Sequence, residues 1–487
     1  MSDRFTTRRG FLEQSLLTAA AGMAGICALD SASADEPAAA GRRRGMANDK
    51  IHIAVIGING RGNNHLDSYL AREDVEVIGL CDPDTMVTDR AIAKCVKKGK
   101  AAPPAYQDIR KLLELKGLDA VSIATPNHWH SLAGIWAMQA GKDVYVEKPV
   151  SHNVHEGRVL VDTARKHKRI CQAGTQSRSH KACQDAMEYI HSGKIGKVSL
   201  SRGLCYKPRP SIGKSAGPLA IPQNIDYDLW LGPAPQKSAM RQRFHYDWHW
   251  FWDYGNGDLG NQGIHQMDIA RWALNKNGLA NSVFSVGGRF GYVDDGETPN
   301  TEISFFDYGD AHLIFEVRGL PTVGLKDVKI GNIVYGSEGY VVISDNYGSA
   351  AAFDNNNTLV QSFTGDGDHF DNFLSAMRSR KSSDLNGEIE KGHYSSALCH
   401  LGNISYRLGS QRAFGGDSQS YSKEEKDCME RMQVHLTTNG VDLGASKYAL
   451  GPVLKIDSHK ERFHDNAAAN AYITREYRAP FVVPDKA

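Results

Sequence analysis

The sequence predicts a two-domain α/β protein: a doubly wound parallel sheet, then a second α/β domain whose sheet is largely antiparallel. Three observations carry this prediction. A chain of 487 residues exceeds one ordinary core, so two domains are expected. Over residues 50–172, short apolar β-type runs alternate with helix-like segments, as in a parallel sheet. From residue 173, β-rich runs separated by glycine and Asn/Asp turns take over, the pattern of antiparallel strands. The 57 basic and 56 acidic residues nearly cancel, which removes any electrostatic case for nucleic acid as a partner. A content of 41% hydrophobic and 23% charged residues is globular.

In chain order, Thr7-Arg8-Arg9-Gly10-Phe11-Leu12 comes first, with the paired arginines, phenylalanine and leucine of a twin-arginine export signal. A weakly apolar stretch over 16–29 follows, and Ala32-Ser33-Ala34 suits a signal peptidase. Residues 1–34 are therefore expected to be removed and 35–49 to form a flexible linker. The twin-arginine translocase is then a partner during export, and the periplasm is the destination. After this leader there is no apolar run of about 18 residues, so no membrane association is expected once the signal is gone. Cys27 falls in the leader. Cys81, Cys95, Cys171, Cys183, Cys205, Cys399 and Cys428 are an odd set without two-residue spacing, so neither a zinc cluster nor a disulfide framework is signalled.

Residues 51–56 form a β-rich run ending in Gly57-Ile58-Asn59-Gly60-Arg61-Gly62; a helix-like stretch, a second strand over 75–81 and Asp82 follow. This order is the dinucleotide-binding fingerprint in its required context. Gly57 permits the tight turn, Gly62 lets helix and strand approach, and backbone amides at the helix start face a pyrophosphate. Asn59 stands at the middle glycine position; asparagine tolerates a left-handed backbone, and Gly60 beside it supplies room. Asp82 is expected to accept the adenosine ribose hydroxyls and to repel a 2′-phosphate. That favours NAD, with Arg61 keeping NADP open as the second choice.

A helix-like segment over 108–116 precedes a buried strand over 119–124, with Thr125-Pro126-Asn127-His128-Trp129-His130 at its carboxyl end. Thr125, Asn127 and His130 are expected along the cofactor groove. His128 and His130 lack a third ligand and read as helix-start residues, so no metal is expected. The strand over 143–146 then runs into Glu147-Lys148-Pro149. Proline disfavours the helical conformation for the residue before it, so Lys148 stands extended at the strand end, the edge where such sheets bind ligands. A lysine held there polarises a hydroxyl or carbonyl beside the dinucleotide, with Glu147 flanking the cofactor.

In the second domain, strands are expected over 198–206, 282–290, 302–308, 311–318 and 332–344. Residues 369–409 read as helical and are expected to return to the first domain. The domain is bounded at 173–412, and 413–487 reads as a polar, irregular C-terminal extension. His265 and Asp268 are three apart, and Asn261 precedes His265 by four, spacings that share one helix face. An ordinary histidine pKa near neutrality makes His265 the acid/base for a substrate hydroxyl, with Lys148 sharing that proton and holding the developing alkoxide. Asn261 and Asp268 join the substrate set, as do Gln176 and Arg178 near the domain junction. The run Phe244-His245-Tyr246-Asp247-Trp248-His249-Trp250-Phe251-Trp252 is either a platform for sugar rings, with Trp250 the candidate contact, or packed core. Tyr206-Lys207-Pro208-Arg209 reads as a solvated loop, and His393 and His400 as core or cap residues.

With these motifs the chain resembles the Gfo/Idh/MocA family, which includes glucose–fructose oxidoreductase and inositol dehydrogenase. The likeness rests on the glycine turn with Asp82, Thr125-Pro126-Asn127, Glu147-Lys148-Pro149 and Gly260-Asn261-Gln262-Gly263-Ile264-His265-Gln266-Met267-Asp268. It implies a Rossmann domain followed by an α/β domain whose open, mostly antiparallel sheet walls the active site, an often cis proline after Lys148, and a homodimer or homotetramer. The family usually has aspartate at Asn261, so this chain's residue is expected to orient substrate. The implied function is an exported oxidoreductase that passes hydride between a secondary hydroxyl of a sugar, glycoside or cyclitol and a tightly bound NAD. Retention is expected because the periplasm offers no replenished nicotinamide pool. A redox-neutral, NAD-dependent glycoside hydrolase or lyase of the same superfamily ranks second, because that subgroup carries another motif at Gly255-Asn256-Gly257-Asp258. A non-catalytic sugar-binding protein ranks third.

Overall fold

The computed structural model describes residues 50–415 and 422–487; the export-signal and linker readings lie outside the described residues. Six parallel strands form the first sheet: β1 (Ile51–Ile56), β2 (Val75–Cys81), β3 (Ala105–Tyr106), β4 (Ala120–Ile123), β5 (Asp143–Val146) and β6 (Cys171–Ala173). Their spatial order is 3-2-1-4-5-6, so the winding reverses between β1 and β4. A crevice opens there at the carboxyl ends of the strands. Helices α1 (Arg61–Leu70), α2 (Thr85–Lys97), α3 (Ile109–Leu113), α4 (Asn127–Gln139) and α5 (Val154–Lys166) link the strands. Every residue of β4 and β5 is buried, as central strands covered by helices on both faces require. Asp84, Asp108 and Asn153 start α2, α3 and α5 by accepting first-turn backbone amides.

Beyond α6 (Lys181–His191) the second sheet begins with β7 (Leu200–Tyr206). A long connection carrying α7 (Tyr227–Leu231), α8 (Gly257–Gly260) and α9 (Gly263–Ala273) leads to β8 (Ser282–Gly288), β9 (Thr301–Asp307) and β10 (His312–Arg318). The strands β11 (Ile330–Tyr335), β12 (Gly339–Ser344), β13 (Ser349–Asp354) and β14 (Leu359–Thr364) follow. Then come α10 (His369–Ser379), α11 (Ile389–Arg407), β15 (Ser410–Ala413), α12 (Lys423–Thr438), β16 (Lys447–Leu450), β17 (Leu454–Asp457), β18 (Arg462–Phe463) and α13 (Ala467–Ala471). The sheet order is 14-13-12-11-7-10-9-8-16-15, with β17 also on β8. Its pairs are antiparallel except β7 with β10, which run parallel.

Phe370, Phe373 and Leu374 of α10 enter the core of the first sheet beside Ile53, Leu66 and Tyr69. Ion pairs Arg72–Asp368 and Arg380–Asp143 pin that helix from outside, so the helical stretch does return to the first domain. Two expectations change. Residues 332–344 are a hairpin, β11 and β12, closed by Gly336 N donating to Gly339 O at 2.9 Å. Residues 422–487 form regular elements rather than an irregular tail: β16 and β17 lengthen the second sheet at β8, while Phe481 and Val483 pack in the core of the first. The alternation of β17, Leu454-Lys455-Ile456-Asp457, lasts only four residues and is easily passed over. All seven cysteines of the described residues are buried and unpaired.

Candidate active site

At the crevice, Gly57 takes φ +76° as β1 ends, and a Cβ there would lie 2.7 Å from Thr125 N. A Cβ on Gly62 would lie 1.8 Å from Gly57 O, so neither position admits another residue without a backbone shift. Gly60 takes φ +59° with nothing near it, so its need is conformational. Asn59 has no left-handed backbone; the bend expected there falls on Gly60 instead. Asp82 is 6% exposed; its Oδ2 accepts Ile58 N at 2.9 Å and its Oδ1 accepts Asp84 N at 3.1 Å. Those bonds fix the carboxylate at the tip of β2 and leave each oxygen a further lone pair. A cavity of about 290 Å³ runs past Gly57, Gly60, Asp82, Thr125, Asn127 and Lys148. Buried Thr125 Oγ1 has no partner. Glycines that clear the approach, free helix-start amides, an unfilled hydroxyl and a carboxylate with spare lone pairs together fit a dinucleotide.

Glu147 ends β5, and its Oε1 accepts Arg61 Nε at 3.0 Å, His65 Nε2 at 3.1 Å and Gln176 Nε2 at 3.2 Å. Burial works to raise its pKa, but Arg61 and His65 outweigh that and hold it well below the carboxylate range. His65 Nδ1 meets Ser122 Oγ at 2.8 Å, which Tyr69 OH approaches at 3.1 Å, so the relay assigns the Nε2–H tautomer to His65. Gln176 thus holds Glu147 instead of contacting substrate. Arg61 also meets His369 Nε2 at 3.4 Å, which keeps it at the β5 side of the sheet, three strands from Asp82.

The Lys148–Pro149 peptide is cis. His130 clamps this turn to the β4 end, Nδ1 lying 2.6 Å from Pro149 O and Nε2 2.7 Å from Thr125 O. His130 therefore supports the groove through backbone carbonyls. Lys148 Nζ donates to Asn261 O at 3.1 Å. Burial lowers its pKa against the pull of Glu147, and Arg61 and Lys207 add to the fall. His265 is 7% exposed, and its buried Nδ1 has no partner. Burial first, then the Lys148 ammonium, push its pKa well below the ordinary value. The result is a neutral imidazole with a buried, unpartnered Nδ1, within the field of the Lys148 ammonium.

Other expected contacts rearrange. Asn261 closes α8 and His265 lies in α9, so they share no continuous helix, and it is the Asn261 carbonyl that meets Lys148. Asp268 is fully buried, and Arg178 donates to it twice, Nε at 2.7 Å and Nη2 at 2.9 Å, so the two satisfy each other rather than a substrate. Trp250 is buried with Arg209 5.3 Å above its ring, while its neighbours Tyr246, Trp248 and His249 line the cavity. The 206–209 segment is no solvated loop: Lys207 Nζ donates to Gln262 Oε1 at 3.0 Å, and Arg209 binds Asp258 at 2.9 and 2.6 Å and Tyr246 OH at 2.7 Å. Sequence reasoning missed His249. It stacks on Trp248 at 3.7 Å, and burial, assisted by Lys148, takes its pKa to about 3 although the Tyr246 carbonyl opposes this. Nothing in the aromatic run distinguishes it from His245.

A strap formed by residues 221–251 crosses the ribose end. Asn224 Nδ2 donates to Asp84 Oδ1 at 2.6 Å, and His245 Nε2 lies 2.9 Å from Asp84 Oδ2. Backbone bonds from Thr85 N to Asn224 O (3.0 Å) and from Asp226 N to Pro83 O (2.9 Å) complete the seam.

Residues 51–175 match a profile described as an oxidoreductase family, NAD-binding Rossmann fold, and residues 190–434 match its C-terminal alpha/beta domain. A glycosyl hydrolase family 109 protein of Shewanella putrefaciens is 35% identical over 127 residues, 25% of this chain. An alpha-N-acetylgalactosaminidase of Shewanella oneidensis is 33% identical over 125 residues. These matches span 28% and 27% of the two relatives' own lengths. Among solved structures, the WlbA dehydrogenase of Bordetella pertussis, in complex with NADH and UDP-GlcNAcA, superposes with a TM-score of 0.55 at 18% identity. That superposition covers 74% of this chain and 97% of the other, a likeness of fold.

Proposed function

Because this chain belongs to the Gfo/Idh/MocA oxidoreductase family, we propose that its NAD-binding Rossmann domain serves hydride exchange with a secondary hydroxyl of a sugar, glycoside or cyclitol. One observation carries the reading: Lys148 lines the same crevice as Gly57, Gly60 and Asp82 and is aimed by its bond to Asn261 O, four residues before His265. Bound NAD supplies the hydride acceptor or donor. In the oxidation direction, the His265 imidazole takes the carbinol proton while the Lys148 ammonium stabilises the alkoxide as it forms. Asn261 O fixes one ammonium proton and so aims the other two, and Lys207 adds positive potential. In reduction the same groups return the proton.

Two further parts belong to the proposal. The strap closed on Asp84 retains the cofactor, which suits a protein working away from a nicotinamide pool, and the twin-arginine pattern at residues 7–12 supports export to the periplasm. Pairing of copies through the second sheet completes it. A second reading draws on the glycosyl hydrolase relatives: transient oxidation of a glycoside that assists cleavage, with no net redox change. A panel of sugars and glycosides, followed by bound-cofactor fluorescence and product analysis, separates the two readings. Net change in nicotinamide with an oxidised product supports the first; glycoside cleavage without it supports the second. Denatured protein that releases no nicotinamide would overturn both.

A further inference from the structure

A second cavity, also about 290 Å³, opens behind the crevice, between the loop after Lys148, helix α11 and residues 471–476. It shares no lining residue with the cofactor cavity. One hydrogen bond, Asn127 Nδ2 to Asn256 Oδ1 at 3.1 Å, bridges the wall between them.

Its polar lining is unsatisfied. His152 is 9% exposed and neither ring nitrogen has a partner. Arg475 donates Nη1 to Asp253 O at 2.9 Å, yet Nε and Nη2 are unbonded, Nε standing 3.7 Å from Glu156 Oε1. His400 Nε2 lies 3.2 Å from Ser151 Oγ, and its Nδ1 is free. Asn403 gives Nδ2 to Asn256 O at 3.0 Å and keeps Oδ1 free. Buried polar atoms without partners are uncommon, and a cluster of them around one cavity points to an occupant.

Charge narrows the occupant. Arg407 lies along the wall, 4.8 Å from the Trp252 ring and 4.2 Å from that of Tyr472. Of the nearby carboxylates, Asp253 pairs with Lys237 at 2.6 Å, Glu476 is exposed at the rim, and Glu156 accepts His152 N and Asn153 Nδ2 at 2.9 Å each and forms a long ion pair with Arg475 Nε at 3.7 Å, which leaves Nη2 without a partner. The free donors of Arg475 and the N–H of His152 call for an anionic oxygen, and the free acceptor of Asn403 calls for a hydroxyl. We propose that this cavity is a binding site for a small hydroxylated oxyanion, a sugar acid or a sugar phosphate.

The test measures thermal melting of the full protein with D-glucuronate, D-glucose 6-phosphate, neutral D-glucose, and sodium chloride at matched ionic strength. Either anion is expected to raise the midpoint of wild type and of Lys148→Ala alike. Arg475→Gln and His152→Phe are expected to abolish that rise while keeping bound nicotinamide, and His152→Phe stands alone if Arg475→Gln does not fold. The larger of the two anion shifts identifies carboxylate or phosphate. The proposal is overturned by no shift beyond chloride, by an equal shift with glucose, or by a shift that Lys148→Ala loses and His152→Phe keeps. The last outcome would put the anion in the cofactor crevice and leave the redox reading standing.

Discussion

Replacing Asp268 with asparagine tests whether that residue holds the fold or the substrate. The carboxylate is fully buried and receives three donors: Arg178 Nε at 2.7 Å, Arg178 Nη2 at 2.9 Å and Ser395 Oγ at 2.7 Å. Asparagine keeps the shape but strands the Arg178 charge, which is itself 4% exposed. Neutralising one member of a buried pair costs about 3–5 kcal/mol. At about 2–4 °C per kcal/mol for domains of this size, the melting midpoint falls by about 6–20 °C. Removing both charges, as Arg178→Met with Asp268→Leu, should recover only part of that loss, because buried Arg271, 3.7 Å from Asp268, still loses its counter-charge. The pH dependence follows. Burial pushes Asp268 upward, but Arg178 outweighs it and the folded pKa lies below the ordinary 3.8. The pair's contribution is therefore present above that ordinary value, and variant and wild type converge as pH falls through the lower folded one. Calorimetry across pH, with turnover counted per folded molecule, measures both effects. A midpoint within about 1 °C of wild type, together with a raised KM for the carbohydrate, would refute the reasoning and return Asp268 to the substrate site.

Lys148→Ala and His265→Ala should each lower single-turnover hydride transfer by about 10²–10⁴-fold while nicotinamide content holds; unchanged rates would remove the assignment. Gly62→Ala sets a Cβ 1.8 Å from Gly57 O, so the folded fraction should lose most of its bound nicotinamide, read by absorbance after denaturation. Full retention would contradict the cradle. His245→Ala removes one of the two side chains on Asp84, and release of nicotinamide into a dilution chase should quicken at least several-fold. An unchanged release rate would sink the retaining role of the strap.

The parallel half was legible because its strands are nearly continuous apolar runs that end in a glycine turn and an aspartate. Lys148 and His265 could be chosen because a proline fixes the first and a short motif frames the second. Failures came where a distant partner decides. Helical spacing correctly gives His265 and Asp268 to related faces, but it does not say that Arg178 already occupies the Asp268 side. Proximity to the domain junction suggested Gln176 for substrate, yet Glu147 captures it. The aromatic run was split by a 3-10 turn over Asp247–Trp250, which sends Trp248 and His249 outward to the cavity and Trp250 inward. Lys207 and Arg209 look solvated until Gln262 and Asp258 are brought beside them by α8 and its flank.

Phe481 lies 5.5 Å from the Trp129 ring and 6.3 Å from that of Trp136, and β16 finishes the second sheet against β8. A ribosome making this chain therefore cannot release the second half in its final form before residue 457 has emerged, nor the first before residue 483. Through most of translation the nascent polypeptide presents two bare indole rings and an uncovered strand edge to the surrounding medium. Truncation that removes this late stitch would leave the Phe481 and Val483 positions of the first core unfilled.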